Sequence, residues 1–309
     1  MTSEVIVFHD ETEQPAGVNI SGHCIVIIPL RIVDRTGTIA RPISALVEQI
    51  ALCRSLVSPE REFHFNRIKG PTWLNGDVAS RNLILLSISA FRNVPGDVVG
   101  LFGCKLSILF YKKSPLLREY GGIDQKEREL RYFETMLRLV IGTALNNLYS
   151  GTNHVIVKGI ITDASSLHRD IDKRRALQPL LRGSMGSIIL KPWVKIDNSA
   201  EIVPNDSDHM KYPDDPIERE YASCIQFVDM MLGASACHFY NKKWAPCPSP
   251  LVGGNISIDK KCLVAQPLRD LFESVAGQRR AEYLNSMRVA ELHPGRKWND
   301  LGAKLMLQS

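Results

Sequence analysis

The chain has 309 residues, of which 44% are hydrophobic and 23% are charged. A soluble polypeptide of this size and composition can bury the core of one elaborated domain or two small ones, which excludes an intrinsically disordered protein. Its formal net charge of +5 favours a phosphate-rich partner, but scattered solvated Lys and Arg side chains explain this mild excess equally well.

The first half of the chain alternates strand and helix patterns. An apolar run at about 4–9 predicts a buried strand, and a turn with Pro15 and Gly17 joins it to a second strand at about 20–33, as in a hairpin. Segments at about 42–56 and about 76–92 have apolar residues at helical spacing. Because they precede the next strand, we treat about 41–94 as a helical insertion into one domain.

The second half begins with an apolar strand at about 98–111 and the most regular helix pattern, about 124–149, which Gly151 ends. A strand ending at Asp163 follows, then a basic helix at about 166–181, a strand pair at about 185–203 and a last major helix at about 216–240. This order predicts an α/β fold with a mixed β-sheet flanked by helices over residues 1–245. The proline-rich stretch from Pro246 is typical of a linker, so we assign 246–309 to a C-terminal extension.

Cysteine usage and the first residues bear on the cellular compartment. The seven cysteines form no CxxC pair, which argues against a disulfide framework and favours a reducing compartment. Cys237-His238 with Cys247 lacks the fourth ligand and the paired spacing of a zinc site. The chain opens with polar residues and a strand-length apolar run, so we expect a cytoplasmic protein without a secretory signal or a membrane span.

Three aspartates lie where the pattern predicts burial. Asp10, followed by Glu11, ends the first apolar run, Asp163 ends the mid-chain strand, and Asp229 lies inside the last helix. An isolated buried carboxylate neutralises itself, whereas several carboxylates around a divalent cation can stay charged. The pattern therefore predicts a metal site. Simpler explanations are an acidic turn, an N-cap at Asp163 and a solvent-facing helix stripe at Asp229.

Periodicity orders the side chains around these aspartates. Adjacent strand residues point to opposite faces, so at most one of Asp10 and Glu11 faces a core-side site, and we favour Asp10. On the last helix, Gln226, Asp229 and Gly233 share a narrow polar arc. Gly233 permits the close approach of another segment or a ligand, and Gln226 can hydrogen-bond the carboxylate or a substrate.

Taken in order, these segments resemble the domain of unknown function 3800 family, which is regarded as ribonuclease H-like. The matching pieces are Phe8-His9-Asp10-Glu11, Glu62-Phe63-His64, Ile161-Thr162-Asp163, and Ser223 with the segment from Gln226 through Asp229 to Gly233. Together they cover about residues 4–240. The chain departs from the family pattern at Thr12-Glu13, where serine or glycine usually follows the acidic pair, and at Val228, where alanine is common.

The resemblance implies a ribonuclease H-like fold and a nuclease that hydrolyses phosphodiester bonds with two Mg²⁺ or Mn²⁺ ions about 4 Å apart. In that scheme Asp10 bridges the ions, Asp163 and Asp229 each hold one, and Glu11 completes the shell or positions water. His64, beside Glu62, either assists leaving-group protonation or has a structural role. The usual ribonuclease H site also takes a glutamate from the first long helix, where no spacing selects among Glu127, Glu129 and Glu134.

Nucleic acid, either RNA or DNA, is the partner that this scheme requires, with a protein partner also compatible. The predicted basic helix carries Arg169, Lys173, Arg174 and Arg175. These side chains could bind a phosphate backbone as substrate-binding groups without reading its sequence, although such a run is often only a solvated helix face. No feature of the sequence selects an oligomeric state.

Two other function classes compete with the nuclease. One is a non-catalytic accessory protein that binds nucleic acid or a partner protein in a mobile-element or defence system. Its phosphate partner would be repelled by clustered carboxylates without a cation. The other is a nucleotidyl or phosphoryl transferase, but the chain contains neither GxxxxGK(S/T) nor GxGxxG. The GxSxG and HExxH motifs are missing as well, which argues against those hydrolase classes.

Overall fold

A computed structural model gives the fold of the chain. It describes residues 2–13, 20–33, 37, 39–58, 62–91, 103–113, 124–149, 154–163, 190–205, 215–240, 253, 259–274 and 286–301. The strands are β1 (Thr2–Glu13), β2 (Ser21–Pro29), β3 (Ile32–Val33), β4 (Ile39–Ala40), β5 (Lys105–Tyr111), β6 (His154–Asp163), β7 (Val194–Asn205), β8 (Met287–His293) and β9 (Lys297–Asp300). The helices are α1 (Pro42–Ser55), α2 (Asn75–Ser87), α3 (Gln125–Leu148), α4 (Pro216–Tyr240) and α5 (Lys260–Ser274), with 3₁₀ turns at Phe65–Arg67, Ile88–Phe91 and Pro294–Arg296.

A seven-stranded sheet in the order β7-β6-β1-β2-β5-β8-β9 organises the molecule. Strands β1, β2 and β5 form an antiparallel meander. Strand β6 pairs parallel to β1, and β7 pairs parallel to β6. On the other edge β8 is parallel to β5, and β9 is antiparallel to β8. The predicted α/β architecture with a mixed sheet flanked by helices is therefore confirmed.

Helices cover both faces of the sheet, which explains why β2 is buried along its whole length. We call one side the α4 face, because its residues Phe8 and Cys24 belong to a core with α1, α2, α4 and α5. The other side is the α3 face, where Val7 and Ile25 belong to a separate core with α3. Alternation along each strand decides which side chains enter which core.

Local signals explain where the main helices begin. Pro42 occupies the first turn of α1, where a missing N–H costs nothing, and Ile43, Leu46 and Ile50 then turn toward the core. Asp124 caps α3 by accepting a hydrogen bond of 2.8 Å from the backbone N–H of Glu127. These sequence features account for the agreement between the predicted and observed bounds of α1, α3 and α4.

Strand β1 is longer than the predicted run at about 4–9, because its pairing with β2 continues to Glu13 opposite Ser21. Asp10 and Glu11 therefore lie within a paired strand and not in a turn. The predicted basic helix lies outside the described residues. Of the predicted strand pair, the described part holds β7, which pairs with β6.

The described part of the predicted C-terminal extension completes the same sheet and core. Strands β8 and β9 extend the sheet beyond β5. The side chain of Lys260 on α5 is buried, and its Nζ lies 2.8 Å from Asp77 Oδ2 of α2 and 2.9 Å from the carbonyl oxygen of Lys69. Breaking a buried pair of this kind costs about 3–5 kcal/mol, so α5 is firmly attached to the helical insertion.

None of the helices within the described ranges combines the length and hydropathy needed to cross a lipid bilayer. The described cysteines, Cys24, Cys53, Cys104, Cys224, Cys237 and Cys262, are buried thiols that form no disulfide with one another, and Cys237 Sγ lies 3.5 Å from Cys262 Sγ.

Candidate functional site

Asp10 and Asp163 lie at the carboxyl ends of two neighbouring parallel strands. The register of β1 and β6 places His9 opposite Thr162, so the two aspartates follow as the next neighbours. Asp10 also pairs with Cys24 across the antiparallel edge. The carboxyl ends of parallel strands are where α/β sheets place their ligands.

Both aspartates belong to the α4 face. Asp10 alternates in phase with Phe8, and Asp163 alternates in phase with Ile161, and both hydrophobic residues belong to the α4-face core. Helix α4 crosses this face, with the ring centroid of Tyr221 lying 5.8 Å from that of Phe8.

The thiol of Cys24 reports the proximity of Asp10 and Asp229. Burial raises the pKa of Cys24 well above its ordinary value, and the charges of Asp10 and Asp229 raise it further. Asp10 and Asp229 therefore act on one buried group, and Asp163 follows the register of β1 and β6 as the neighbour of Asp10 on the same face. The Asp10 side chain is nearly buried, whereas Asp229 is 16% exposed and Asp163 is half-buried.

Helix α4 also holds the extended segment that contains His64. Asp229 Oδ2 accepts a hydrogen bond of 2.8 Å from the backbone N–H of Phe65, and Gln226 Oε1 accepts one of 3.0 Å from that of Phe63. Residues three apart on a helix share one face, and alternate residues of an extended segment point the same way. Gln226 and Asp229 therefore lie on the same face of α4, where each can accept a hydrogen bond from one of the two alternate N–H groups, those of Phe63 and Phe65.

Gln226 is held in a buried hydrogen-bond network, and its contact with a substrate stays a prediction. Its side chain is fully buried, and Oε1 also accepts a hydrogen bond of 2.8 Å from Arg54 Nη2. Arg54 Nη1 donates to Ser223 Oγ at 3.2 Å, and the guanidinium lies 5.8 Å from the centroid of the Phe63 ring. Burial lowers the pKa of Arg54 to about 10, so it remains charged at neutral pH.

Gly233 explains how this segment approaches α4 so closely. A Cβ atom at Gly233 would lie 2.2 Å from Cγ of Phe65, whose ring is buried against the helix backbone. A separation that short is a steric clash, so only glycine fits at this position. The predicted close approach at Gly233 is therefore made by Phe65.

His64 lies between two carboxylates. Its Nδ1 is 3.8 Å from Asp229 Oδ2, and its Nε2 is 3.2 Å from Glu62 Oε2. Glu62 Oε2 also accepts a hydrogen bond of 2.7 Å from Arg67 Nη1. Burial alone would lower the pKa of His64, but Asp229 and Glu62 outweigh burial and Arg67, so this pKa is raised. An imidazole in these surroundings tends to carry a proton.

A lysine from α5 adds positive charge to this region. Lys261 Nζ lies 6.0 Å from the centroid of the Phe65 ring. Burial lowers the pKa of Lys261, whereas Asp229 is among the charges that raise it, so the ammonium group is within electrostatic reach of that carboxylate. Lys261 could not be identified from the sequence, since no local pattern connects α5 to α4.

The structure separates Glu11 from the three aspartates. Glu11 and His9 alternate with Asp10, so their side chains enter the α3 face, where Glu11 Oε2 lies 3.4 Å from His9 Nδ1. His23 pairs with Glu11 across β1 and β2, and its Nδ1 lies 2.9 Å from His9 Nε2. Glu11 was expected to complete the metal shell of Asp10, but its side chain lies on the opposite face of the sheet. There it belongs to a second group of side chains.

This second group, His9, Glu11 and His23, could hold a metal ion. One donor atom from each side chain lies within 4.8 Å of the other two, and all three residues are buried. Neither His9 nor His23 was predicted as a ligand from the sequence. The spacing of two residues between His9 and Glu11 on a predicted strand was the available signal.

The remaining predicted residues do not join either group in the described structure. Arg169, Lys173 and Arg174 lie outside the described residues. The α3 glutamates make contacts along their own helix: Glu127 with Arg131 at 2.5 Å, Glu129 with Gln125 at 3.1 Å, and Glu134 with Arg138 at 3.9 Å. Helix α3 also packs on the opposite side of the sheet from Asp229.

Comparison with protein-family models, with curated proteins and with solved structures finds no match to this chain.

Proposed function

We propose that this protein is a metal-dependent nuclease that hydrolyses phosphodiester bonds at Asp10, Asp163 and Asp229. The observation that supports the proposal is that the three carboxylates lie on one face of the sheet, with Asp10 and Asp163 adjacent at the carboxyl ends of β1 and β6 and with Asp10 and Asp229 both acting on Cys24. Clustered carboxylates repel each other and repel phosphate unless cations lie between them.

The proposed fold family is ribonuclease H-like, as the resemblance to the domain of unknown function 3800 family implies. An antiparallel meander of β1, β2 and β5 that continues through parallel strands β6 and β7 supports this assignment. The position of the acidic group at the end of the first strand supports it as well.

The side chains suit hard divalent cations. The group offers carboxylate oxygens, which Mg²⁺ and Mn²⁺ prefer over nitrogen and sulfur ligands. Asp10 is nearly buried between the two strands, and the partly exposed Asp163 and Asp229 leave a way in for ions and substrate. When bound, two such ions supply activation of a water and stabilisation of the leaving oxygen.

The chain itself provides the proton and the phosphate contacts. Hydrolysis breaks the bond between phosphorus and the leaving oxygen, and that oxygen must gain a proton. His64 lies between Asp229 and Glu62, beside the acidic group, so we assign it the role of proton donor. Lys261 neutralises a neighbouring phosphate, and Arg169, Lys173 and Arg174 remain predicted contacts of the RNA or DNA backbone.

The test combines cation binding with cleavage of labelled single-stranded, duplex and hybrid substrates. Asp10→Asn, Asp163→Asn and Asp229→Asn should each weaken Mn²⁺ binding in calorimetry and lower cleavage by about 100-fold or more, since even changes around metal ligands cost 10–100-fold. Asn keeps the side-chain shape, and at residue 229 it retains an acceptor for the Phe65 N–H.

Asp270→Asn is the matched control, because Asp270 is exposed on α5 and accepts a hydrogen bond from Gln266. This variant should bind Mn²⁺ and cleave as the native chain does. If the native chain binds no divalent ion, or if the three variants bind it equally well, the nuclease proposal is wrong. Metal binding without cleavage of any substrate would instead favour an accessory binding protein.

A further inference from the structure

We propose that His9, Glu11 and His23 form a second, structural metal site that binds one divalent transition-metal ion such as Zn²⁺. The site lies on the α3 face, behind the strand that carries Asp10. It does not rest on the proposed nuclease activity, because none of its ligands belongs to the group of three aspartates.

Strand geometry places the three donors together. His9 and Glu11 are two residues apart on β1, so both point to the α3 face, and His23 is the direct cross-strand partner of Glu11. Paired strands inside a covered sheet hold these backbone positions rigidly. The resulting donors lie within 4.8 Å of one another, so side-chain rotation without backbone movement can bring them onto one ion.

The chemistry of the donors selects the class of metal. Two imidazoles and one carboxylate suit Zn²⁺ and related transition-metal ions, whereas Mg²⁺ prefers oxygen ligands alone. His9 Nε2 and His23 Nδ1 are 2.9 Å apart, against roughly 3.3 Å for two nitrogens on one tetrahedral zinc with bonds of about 2.0–2.1 Å. Binding through these two nitrogens needs a slight separation of the rings and a movement of the Glu11 carboxylate, because Glu11 Oε2 lies 3.4 Å from the other ring nitrogen of His9, Nδ1.

Tyr111 makes a hydrogen bond to a ligating histidine from outside the coordination shell, as is usual in metal sites. Its hydroxyl lies 2.9 Å from His23 Nε2, so a proton on Nε2 can be donated to the tyrosine oxygen. That tautomer leaves the lone pair of Nδ1 directed toward His9. Hydrogen bonds of this kind fix the ring orientation of metal-ligating histidines and raise their basicity.

Burial indicates a structural role for the ion. His9 and His23 are fully buried and Glu11 is 6% exposed, which leaves no room for a substrate. The rings of His9 and His23 stack with centroids 5.2 Å apart, and His23 also contacts the ring of Phe133 on α3. A bound ion would join β1 and β2 immediately behind Asp10.

The experiment measures metal retention without any assay of cleavage. The full chain is stripped of metal by a chelator in denaturant, refolded with Zn²⁺ and excess Mg²⁺, and passed through a desalting column before elemental analysis. We expect one Zn²⁺ per chain and a melting temperature above that of chain refolded with Mg²⁺ alone. Refolding with Co²⁺ should give the visible absorption of a nitrogen-ligated, low-coordinate ion.

Variants test whether the retained Zn²⁺ is bound by His9, Glu11 and His23 and not elsewhere on the chain. Glu11→Gln and His23→Gln should lose the retained Zn²⁺, and Tyr111→Phe should weaken binding by about 10–100-fold while keeping all three ligands. His154→Gln, at an exposed histidine, should retain the metal. Asp229→Asn should retain it too, so failure here and failure of the nuclease proposal are distinguishable.

Absence of retained Zn²⁺ in the native chain would overturn the proposal and leave a hydrogen-bonded network of buried side chains. Retention of as much Zn²⁺ by Glu11→Gln and by Tyr111→Phe as by the native chain would also overturn it. If His23→Gln does not fold, the Co²⁺ spectrum of the native chain decides, because an oxygen-only site gives a much weaker absorption.

Discussion

Gly233 is the residue that sets the distance between α4 and the segment that carries His64. Gly233→Ala would bring a Cβ atom to within 2.5 Å of three Phe65 side-chain atoms. We expect a loss of about 1–3 kcal/mol in the free energy of unfolding, the usual cost of overpacking. Displacement of Phe65 should also disturb its hydrogen bond with Asp229 and lower cleavage. Urea denaturation measures the change in the free energy of unfolding.

A double-mutant cycle controls this prediction. Phe65→Leu removes part of the ring, so Gly233→Ala combined with Phe65→Leu should cost less than the sum of the single substitutions. Additive costs would mean that the Cβ atom and the ring do not meet, which contradicts the packing described for this pair.

At the scale of elements, the contact between α4 and α5 makes stability depend on pH. The His238 ring on α4 stacks on Phe272 of α5, with centroids 5.3 Å apart. Burial lowers the pKa of His238 to about 4, with Glu273 opposing and Arg269 reinforcing the change. The folded chain therefore favours the neutral imidazole.

The sign of the effect follows from proton binding. Between about pH 6.5 and pH 4 the unfolded chain binds a proton at His238 that the folded chain does not, so stability falls as the pH falls. The loss approaches about 3 kcal/mol below pH 4. In urea denaturation at a series of pH values, His238→Gln should reduce the fall in the free energy of unfolding at acidic pH, and His154→Gln should leave that fall unchanged. The same fall in His238→Gln as in the native chain would contradict the prediction.

At the scale of the whole molecule, we expect residues 246–309 to be needed for the fold of residues 1–245. Strand β8 pairs with β5, and α5 belongs to the core formed with α2 and α4. A chain that ends at residue 245 would expose the β5 edge and the apolar surface beneath α5. We expect it to lose its cooperative thermal transition in calorimetry and to bind a hydrophobic dye.

Supplying the missing part in trans is the control for this truncation. Co-expression of residues 246–309 should restore a cooperative transition if packing alone explains the loss. A fragment 1–245 that melts as sharply as the full chain, and at a similar temperature, would show that the C-terminal elements are dispensable.

The sequence predicted those parts of the fold that local pattern controls. Helix α4 runs from Pro216 to Tyr240, close to the predicted 216–240, since its periodicity and flanking prolines are local signals. Strand alternation likewise predicted that Asp10 and Glu11 face opposite sides, and the structure places them so. The polar arc of α4 was visible as well, but its contact partners were not.

What the sequence by itself determined is therefore the α/β class, most helix bounds, the opposite faces of Asp10 and Glu11, and the possibility of a close approach at Gly233. Tertiary structure alone decided that Gln226 accepts a hydrogen bond from Phe63, that Lys261 lies over the Phe65 ring, and that His23 lies beside His9 and Glu11. The physical reason is range: periodicity reports which face a side chain occupies, whereas the identity of the opposing residue depends on strand pairing and helix packing between distant segments.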